Sequence, residues 1–276
     1  MKAEETGAQA EEKLRFAFGE NWLQFAESLD EPAVAAAEAS LRSMLGVGRL
    51  DGRRFLDIGS GSGLFSLAAR RLGAAVRSFD YDEHSVSCTA GVKRRFFPND
   101  AQWTVERGSA LDGRFLSGLG TFDVVYAWGV LHHTGDMWSA LDNATQRVAE
   151  GGMLFIALYN DQGWRSRAWR AVKRLYNALP PALRFIVLWP AFARIWGPTL
   201  ARDCFRGAPL RTWRAYGGPR GMSPWRDVVD WVGGYPFEVA SPEAVLRFCR
   251  ERRLFPVRTQ TVGSGWGCNE FVFEKR

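Results

Sequence analysis

Cysteine is scarce in this 276-residue chain, and histidine is scarcer still. The four cysteines, Cys88, Cys204, Cys249 and Cys268, stand far apart with no C-x-x-C pair. That spacing makes neither a zinc site nor a disulfide framework, and it fits free thiols in a reducing cytoplasm. No metal site is expected. Of the three histidines, two are adjacent, His132 and His133. No apolar run approaches the ~20 residues that cross a bilayer. The stretch Met1 to Lys13 is acidic and polar, unlike a signal peptide. A cytoplasmic location is therefore expected. Repeats and low-complexity tracts are absent.

Tryptophan and positive charge are plentiful, and both are unevenly placed. The formal charge is +6, yet residues 162 to 216 carry eleven Lys and Arg against one acid, Asp203. Five of the twelve tryptophans (Trp164, Trp169, Trp189, Trp196, Trp213) share that segment. A shift of composition on this scale marks a separate module.

Around that module, apolar runs alternate with helical patterns. Strands are expected at Arg54 to Ile58, Ala75 to Phe79, Trp103 to Glu106, Phe122 to Trp128 and Met153 to Leu158. Helices are expected between them, and two more between residues 10 and 46. The alternation stops at Gln162 and resumes at Ser241-Pro242-Glu243, an N-cap followed by proline in the first helical turn. The fold class is thus α/β, a doubly wound parallel sheet. Four segments follow: N-terminal helices over 1–50, a nucleotide-binding core over 51–161, a helical insertion over 162–240, and a C-terminal helix with two strands over 241–276.

The first strand runs into Asp57-Ile58-Gly59-Ser60-Gly61-Ser62-Gly63, and the second ends at Asp80. Strand, glycine turn, helix, strand and acid form the nucleotide-binding half of such a sheet. A dinucleotide loop needs G-x-G-x-x-G/A, but the sixth position from Gly59 is Leu64. Asp-x-Gly-x-Gly-x-Gly instead resembles the first motif of the class I S-adenosylmethionine (SAM) methyltransferases. The resemblance implies a seven-stranded sheet with its last strand antiparallel and SAM as cofactor. It implies that Gly59, Ser60, Gly61 and Gly63 lie under SAM, that Asp80 takes the ribose, and that Asp57 orients the loop or SAM's amino group. Tyr81 is placed near adenine. Ser109, followed by Ala110, stands where relatives carry an acid for the adenine amino group, which leaves that contact to a backbone group or Asp112.

A second pattern, Phe122-Asp123-Val124-Val125 through Trp128-Gly129-Val130-Leu131-His132-His133, is similar to the loop after strand 4 in small-molecule methyltransferases. It is most similar to the group around the ubiquinone-biosynthesis O-methyltransferases. In that group the loop meets SAM's methionine end and the acceptor, which implies a cofactor contact for Trp128. A histidine there can take a proton from an acceptor hydroxyl or amine. His132 is expected to face the cavity, and His133 to turn back toward the sheet or the next helix. Tyr159 and Asn160, leaving strand 5, are expected to reach the acceptor.

The insertion is expected to cover the acceptor as a lid, with Trp164 and Tyr235 as acceptor contacts. Pro190 is expected to interrupt its second helix. The expected acceptor is a small molecule, with aromatic, lipid-like and anionic chemistries left open, and the arginines also leave open peripheral contact with the inner membrane surface. Two other readings stand beside this one. An RNA methyltransferase would use the basic, aromatic insertion, but no [Asn/Asp/Ser]-Pro-Pro-aromatic motif follows strand 4. A SAM-binding membrane-surface protein without activity would not need the histidine loop. DNA is not an expected partner.

Overall fold

Burial on both faces decides where each strand goes. In β1 (Arg54–Ile58), Phe55, Leu56 and Ile58 have no exposed surface, as parallel central strands require. The computed structural model describes residues 14, 16, 29–216 and 224–276. The other strands are β2 (Ala75–Asp80), β3 (Trp103–Arg107), β4 (Phe122–Trp128), β5 (Val148–Tyr159), β6 (Leu254–Gln260) and β7 (Cys268–Lys275). They form one seven-stranded sheet in the order β3-β2-β1-β4-β5-β7-β6. The first five pair in parallel, and β7 runs antiparallel to both β5 and β6. The order reverses between β1 and β4, and ligands of open α/β sheets bind at the strand ends beside such a reversal.

The first of the two helices expected between 10 and 46 lies outside the described residues. The second is α1 (Glu31–Leu45). Asp30 caps it by accepting from the Ala33 amide at 3.0 Å, and Gly46 closes it in the left-handed conformation. Val34, Ala37, Leu41 and Met44 form its buried stripe at three- and four-residue spacing. Helices α2 (Leu64–Arg71), α3 (Glu83–Phe96), α4 (Gly113–Gly118) and α5 (Met137–Gln146) follow β1 to β4 in turn. After the insertion, a helix over Pro242–Arg250 is capped by Ser241, which accepts from the Ala244 amide. The exposed edge strand β6 carries Pro256 and shifts register between Pro256 and Arg258, features that discourage further strand pairing.

Residues 163 to 237 belong to a second compact unit. It contains α6 (Trp164–Ala178), α7 (Phe185–Phe205), α8 (Arg211–Arg214) and α9 (Pro224–Gly233). Its core gathers Tyr176, Val187, Ala191, Trp196, Val228 and Val232. Most of the tryptophans are spent here: Trp196 meets Trp213 at 4.9 Å between ring centres, and Trp169 meets Trp231 at 5.7 Å. Helix α7 runs through Pro190 without interruption, contrary to the expectation from sequence. Pro190 has no N–H to offer the Ile186 carbonyl four residues earlier, and Pro198 none to offer that of Arg194. All four residues are exposed, so water can serve those carbonyls.

Lys173 departs further from the sequence reading, which counted it among the basic residues of the insertion. It is fully buried, its ammonium donates to the Trp231 carbonyl, and it lies 4.5 Å from the Trp231 ring centre and 4.8 Å from that of Phe237. Burial pulls its pKa down to about 7, with Asp230 opposing the shift.

Candidate active site

The glycine loop is held by the strand beside it. The Gly59 and Ser60 amides donate to the Phe79 carbonyl at 2.9 and 3.1 Å, and the Gly63 amide returns to the Ser60 carbonyl at 2.8 Å. Gly59, Gly61 and Gly63 all have positive φ, 72°, 52° and 77°. Two of them have a second reason to be glycine. A Cβ on Gly59 would stand 2.3 Å from Val130 Cγ2, and one on Gly63 would stand 2.9 Å from the Thr89 Cα. The loop therefore packs directly against the segment that carries the histidines and against α3.

Asp80 closes the loop from the end of β2. One carboxylate oxygen accepts from the Gly61 amide at 2.9 Å and the other from the Asp82 amide at 3.0 Å. Each oxygen keeps a lone pair for a further donor. Burial pushes the Asp80 carboxyl up to about 6, against the opposing pull of those amides and with a smaller push from the Asp82 charge.

Asp57 is a brace beneath the loop. It is buried and accepts from the Ser66 hydroxyl, which is 2.7 Å from the Ser78 hydroxyl, which in turn accepts from Trp103 Nε1 at 2.9 Å. Burial raises the Asp57 carboxyl to about 7, and the nearby Asp80 charge adds to the shift. This network ties the end of β1 to α2, β2 and β3 beside the loop. The Ser60 hydroxyl is turned to Thr89 Oγ1 at 2.9 Å, and Thr89 also reaches the Gly61 carbonyl at 3.2 Å. The Ser60 side chain thus ties the loop to α3. Thr89, Ser66 and Ser78 lie outside every motif and carry no signal in the sequence.

On the adenine side, Tyr81 is exposed, with the Arg107 guanidinium 5.9 Å from its ring centre. The Ser109 hydroxyl accepts from the Leu111 amide at 3.2 Å, and the Ala110 carbonyl accepts from Asn143 at 3.0 Å. Asp112 caps α4 through the Phe115 amide at 2.9 Å, so that carboxylate already has a structural task.

After β4, the Trp128 indole donates to Glu270 at 2.9 Å. Gly129 follows at φ 76°, with nothing within 4 Å of where a Cβ would stand. A short 3₁₀ turn over Leu131–His133 then sets the two imidazoles in a cluster with Tyr159. The His132 ring lies 3.9 Å from that of Tyr159 and 4.5 Å from that of His133, and His133 meets Tyr159 edge-on at 5.5 Å. His132 is fully buried and His133 half-buried. The turn sets His132 inward against Tyr159 and leaves His133 the more open of the two.

Asn160 is also reassigned. Its amide donates to the Gly263 carbonyl at 2.8 Å and accepts from Asn269 at 3.0 Å, tying the end of β5 to the loop before β7. The other two expected acceptor contacts belong to the helical unit. Trp164 is exposed at the start of α6, and Tyr235 is buried, its carbonyl accepting from the Phe16 amide at 2.9 Å.

Glu238 was missed altogether. Its carboxylate accepts from the Gly135 and Met137 amides at 3.1 and 3.0 Å, while its own amide donates to the His132 carbonyl at 3.0 Å. It ties the histidine turn to the start of α5. Glu238→Ala leaves two donors without this acceptor and should lower the unfolding free energy by about 1–3 kcal/mol, as read from urea denaturation. Glu238→Gln, which keeps an acceptor, should lose less.

These residues fit SAM: a loop with no side chains at its three turning points, and a carboxylate at the adjoining strand end with lone pairs to spare. Residues 21–190 match the family described as a methyltransferase domain. The chain belongs to this family. The methyltransferase is 36% identical over 113 residues to a ubiquinone biosynthesis O-methyltransferase of Parvibaculum lavamentivorans, covering 39% of the chain and 40% of that protein. A protein of the same name from Caulobacter sp. (strain K31) is 31% identical over 116 residues, covering 40% and 42%. The chain thus matches about two fifths of the length of these relatives. Among solved structures, magnesium protoporphyrin IX methyltransferase from Synechocystis PCC 6803 with bound SAH superposes with a TM-score of 0.51 at 12% identity, covering 89% of this chain and 84% of that one. An O-methyltransferase family protein from Burkholderia thailandensis gives 0.52 at 14% identity, covering 88% and 57%. These likenesses are of fold. By family the chain carries a methyltransferase domain, built on the α/β fold that these solved structures share.

Proposed function

We propose that this methyltransferase carries a methyl group from SAM to a hydroxyl oxygen of a small-molecule acceptor. The observation that carries the reading is the Asp80 carboxylate bound to the Gly61 amide, with His132 and His133 of the loop after β4 clustered against Tyr159 of β5. The relatives, ubiquinone biosynthesis O-methyltransferases by name, favour oxygen as the acceptor atom.

When bound, SAM supplies a sulfonium-activated, electrophilic methyl carbon. The chain then has to hold the reactants in line and dispose of one proton, and alignment of this kind can be worth about 7–11 kcal/mol. The backbone of Gly59 to Gly63 and the Asp80 carboxylate would hold the nucleoside. His133, the more open of the two imidazoles, takes the proton from the acceptor hydroxyl. His132 and Tyr159 position it by packing on its ring.

Calorimetry with SAM and S-adenosylhomocysteine tests the cofactor, and label transfer from methyl-tritiated SAM to a panel of phenols, catechols and amines tests the acceptor. Label on amines alone would overturn the oxygen assignment. With an active acceptor, His133→Ala should slow turnover by ~10²–10⁴-fold, the usual span of base catalysis. Its affinity for SAM should be unchanged. Full turnover in that variant would remove His133 as the base.

A further inference from the structure

The helical unit has an apolar outer surface that its own core does not use. The inward faces of α6 and α7 are already spent on the core, through Trp169, Val172 and Tyr176 on one helix and Val187, Ala191 and Trp196 on the other. A surface helix normally turns polar residues outward. At the α6–α7 turn the opposite occurs. Phe185 and Ile186 are each 54% exposed and Trp189 is 57% exposed, with Leu175 and Leu183 exposed beside them. Trp189 keeps this exposure although its ring also meets Trp225 at 5.5 Å. Helix α7 is therefore apolar all round over its first turns. A cluster of this kind at a helix–helix turn marks an interaction site.

The surrounding charge identifies the occupant. Between Gln162 and Arg202 there are eight Lys and Arg and no Asp or Glu. One of the eight, Lys173, is buried, whereas Arg167 and Arg174 are exposed on α6. Two copies of so basic a face repel each other. No described helix is long and apolar enough to cross a membrane. We infer that the α6–α7 turn docks on an anionic lipid surface, with Phe185, Ile186 and Trp189 entering the headgroup layer and the arginines pairing with lipid phosphates. Aromatic and aliphatic side chains in front of a basic rim are what interfacial binding requires.

Flotation of the full chain with vesicles tests this directly. The protein should rise with vesicles of equal parts phosphatidylcholine and phosphatidylglycerol and stay behind with phosphatidylcholine alone. Phe185→Ser, Ile186→Ser and Trp189→Ser combined should reduce flotation to background while calorimetric affinity for SAM is kept. Arg167→Glu with Arg174→Glu leaves the apolar cluster intact and should weaken binding at least tenfold, since each basic residue near such a surface is worth about a fivefold factor. No flotation with the anionic vesicles would overturn the inference, as would equal flotation of the parent and the arginine variant. A concentration-dependent dimer in sedimentation, abolished by the serine substitutions, would assign the face to a second copy instead. Binding of single-stranded RNA that survives those substitutions would assign the arginines to nucleic acid.

Discussion

Asp80→Asn is expected to weaken SAM binding about a hundredfold in calorimetry. Hydrogen bonds to a charged acceptor are worth about 1.5–3 kcal/mol each, and the substitution loses more than charge. The carboxylate now serves the Gly61 and Asp82 amides with one oxygen apiece. An asparagine can accept one of those bonds, but its NH₂ group would face the other donor. Loop support and ribose recognition therefore fail together. The same carboxyl sets a pH signature. Burial raises it to about 6, so protonation removes the charge and turns one accepting oxygen into a donor, and SAM affinity should fall as pH drops through about 6. Stability responds with the opposite sign. A carboxyl raised by folding holds its proton more tightly in the native chain than in the unfolded one. Its contribution to stability is fully present below the ordinary carboxylate range and is lost as pH rises through about 6 for Asp80 and about 7 for Asp57. Without ligand, the Asp80→Asn variant should thus lose less stability than the parent between about pH 4 and pH 7. Thermal unfolding across that range, with and without SAM, checks both trends. Unchanged affinity of Asp80→Asn at neutral pH would remove Asp80 from the site.

Gly59→Ala should be nearly as damaging, through sterics. Positive φ disfavours an alanine by about 1 kcal/mol, and forcing a methyl into packed protein adds about 1–3 kcal/mol. The second cost has a named source, the Val130 side chain 2.3 Å from the new Cβ. Relief of the clash would move either the glycine loop or the histidine turn, so SAM affinity should fall together with the midpoint of thermal unfolding. Adding Val130→Ala removes the opposing branched carbons and should restore part of both, leaving mainly the backbone term. If the double variant recovered nothing, contact between loop and turn would not be the cause.

The sheet was legible because its strands are apolar runs of ordinary length bounded by glycine and proline. β1 and β4 were read with their observed limits, and the glycine spacing separated a SAM loop from a dinucleotide loop before any coordinates. The N-terminal part of β5 was missed because Glu150-Gly151-Gly152 reads as a turn, whereas the strand passes through it. Side-chain direction was less accessible. Adjacent histidines give no period from which to choose the inward one, and the choice fell to a 3₁₀ turn and the ring of Tyr159. Asn160 looked like a polar residue at a strand end, yet its partner Asn269 lies more than a hundred residues away. Glu238 and Thr89 were invisible for the same reason, since each acts through backbone groups distant in sequence. Pro190 misled because a proline stops a helix only where the abandoned carbonyl cannot find water.

The sheet order also constrains how the chain is assembled on the ribosome. β5 and β6 each pair with β7 and not with each other, although β7 is made after both. While the nascent chain lengthens through the helical unit, one flank of β5 waits with its amides and carbonyls unsatisfied. β6 cannot settle until the following strand slots in between. Closure of the sheet is thus a late insertion event, and a pause in synthesis after residue 260 would expose that open flank to other chains.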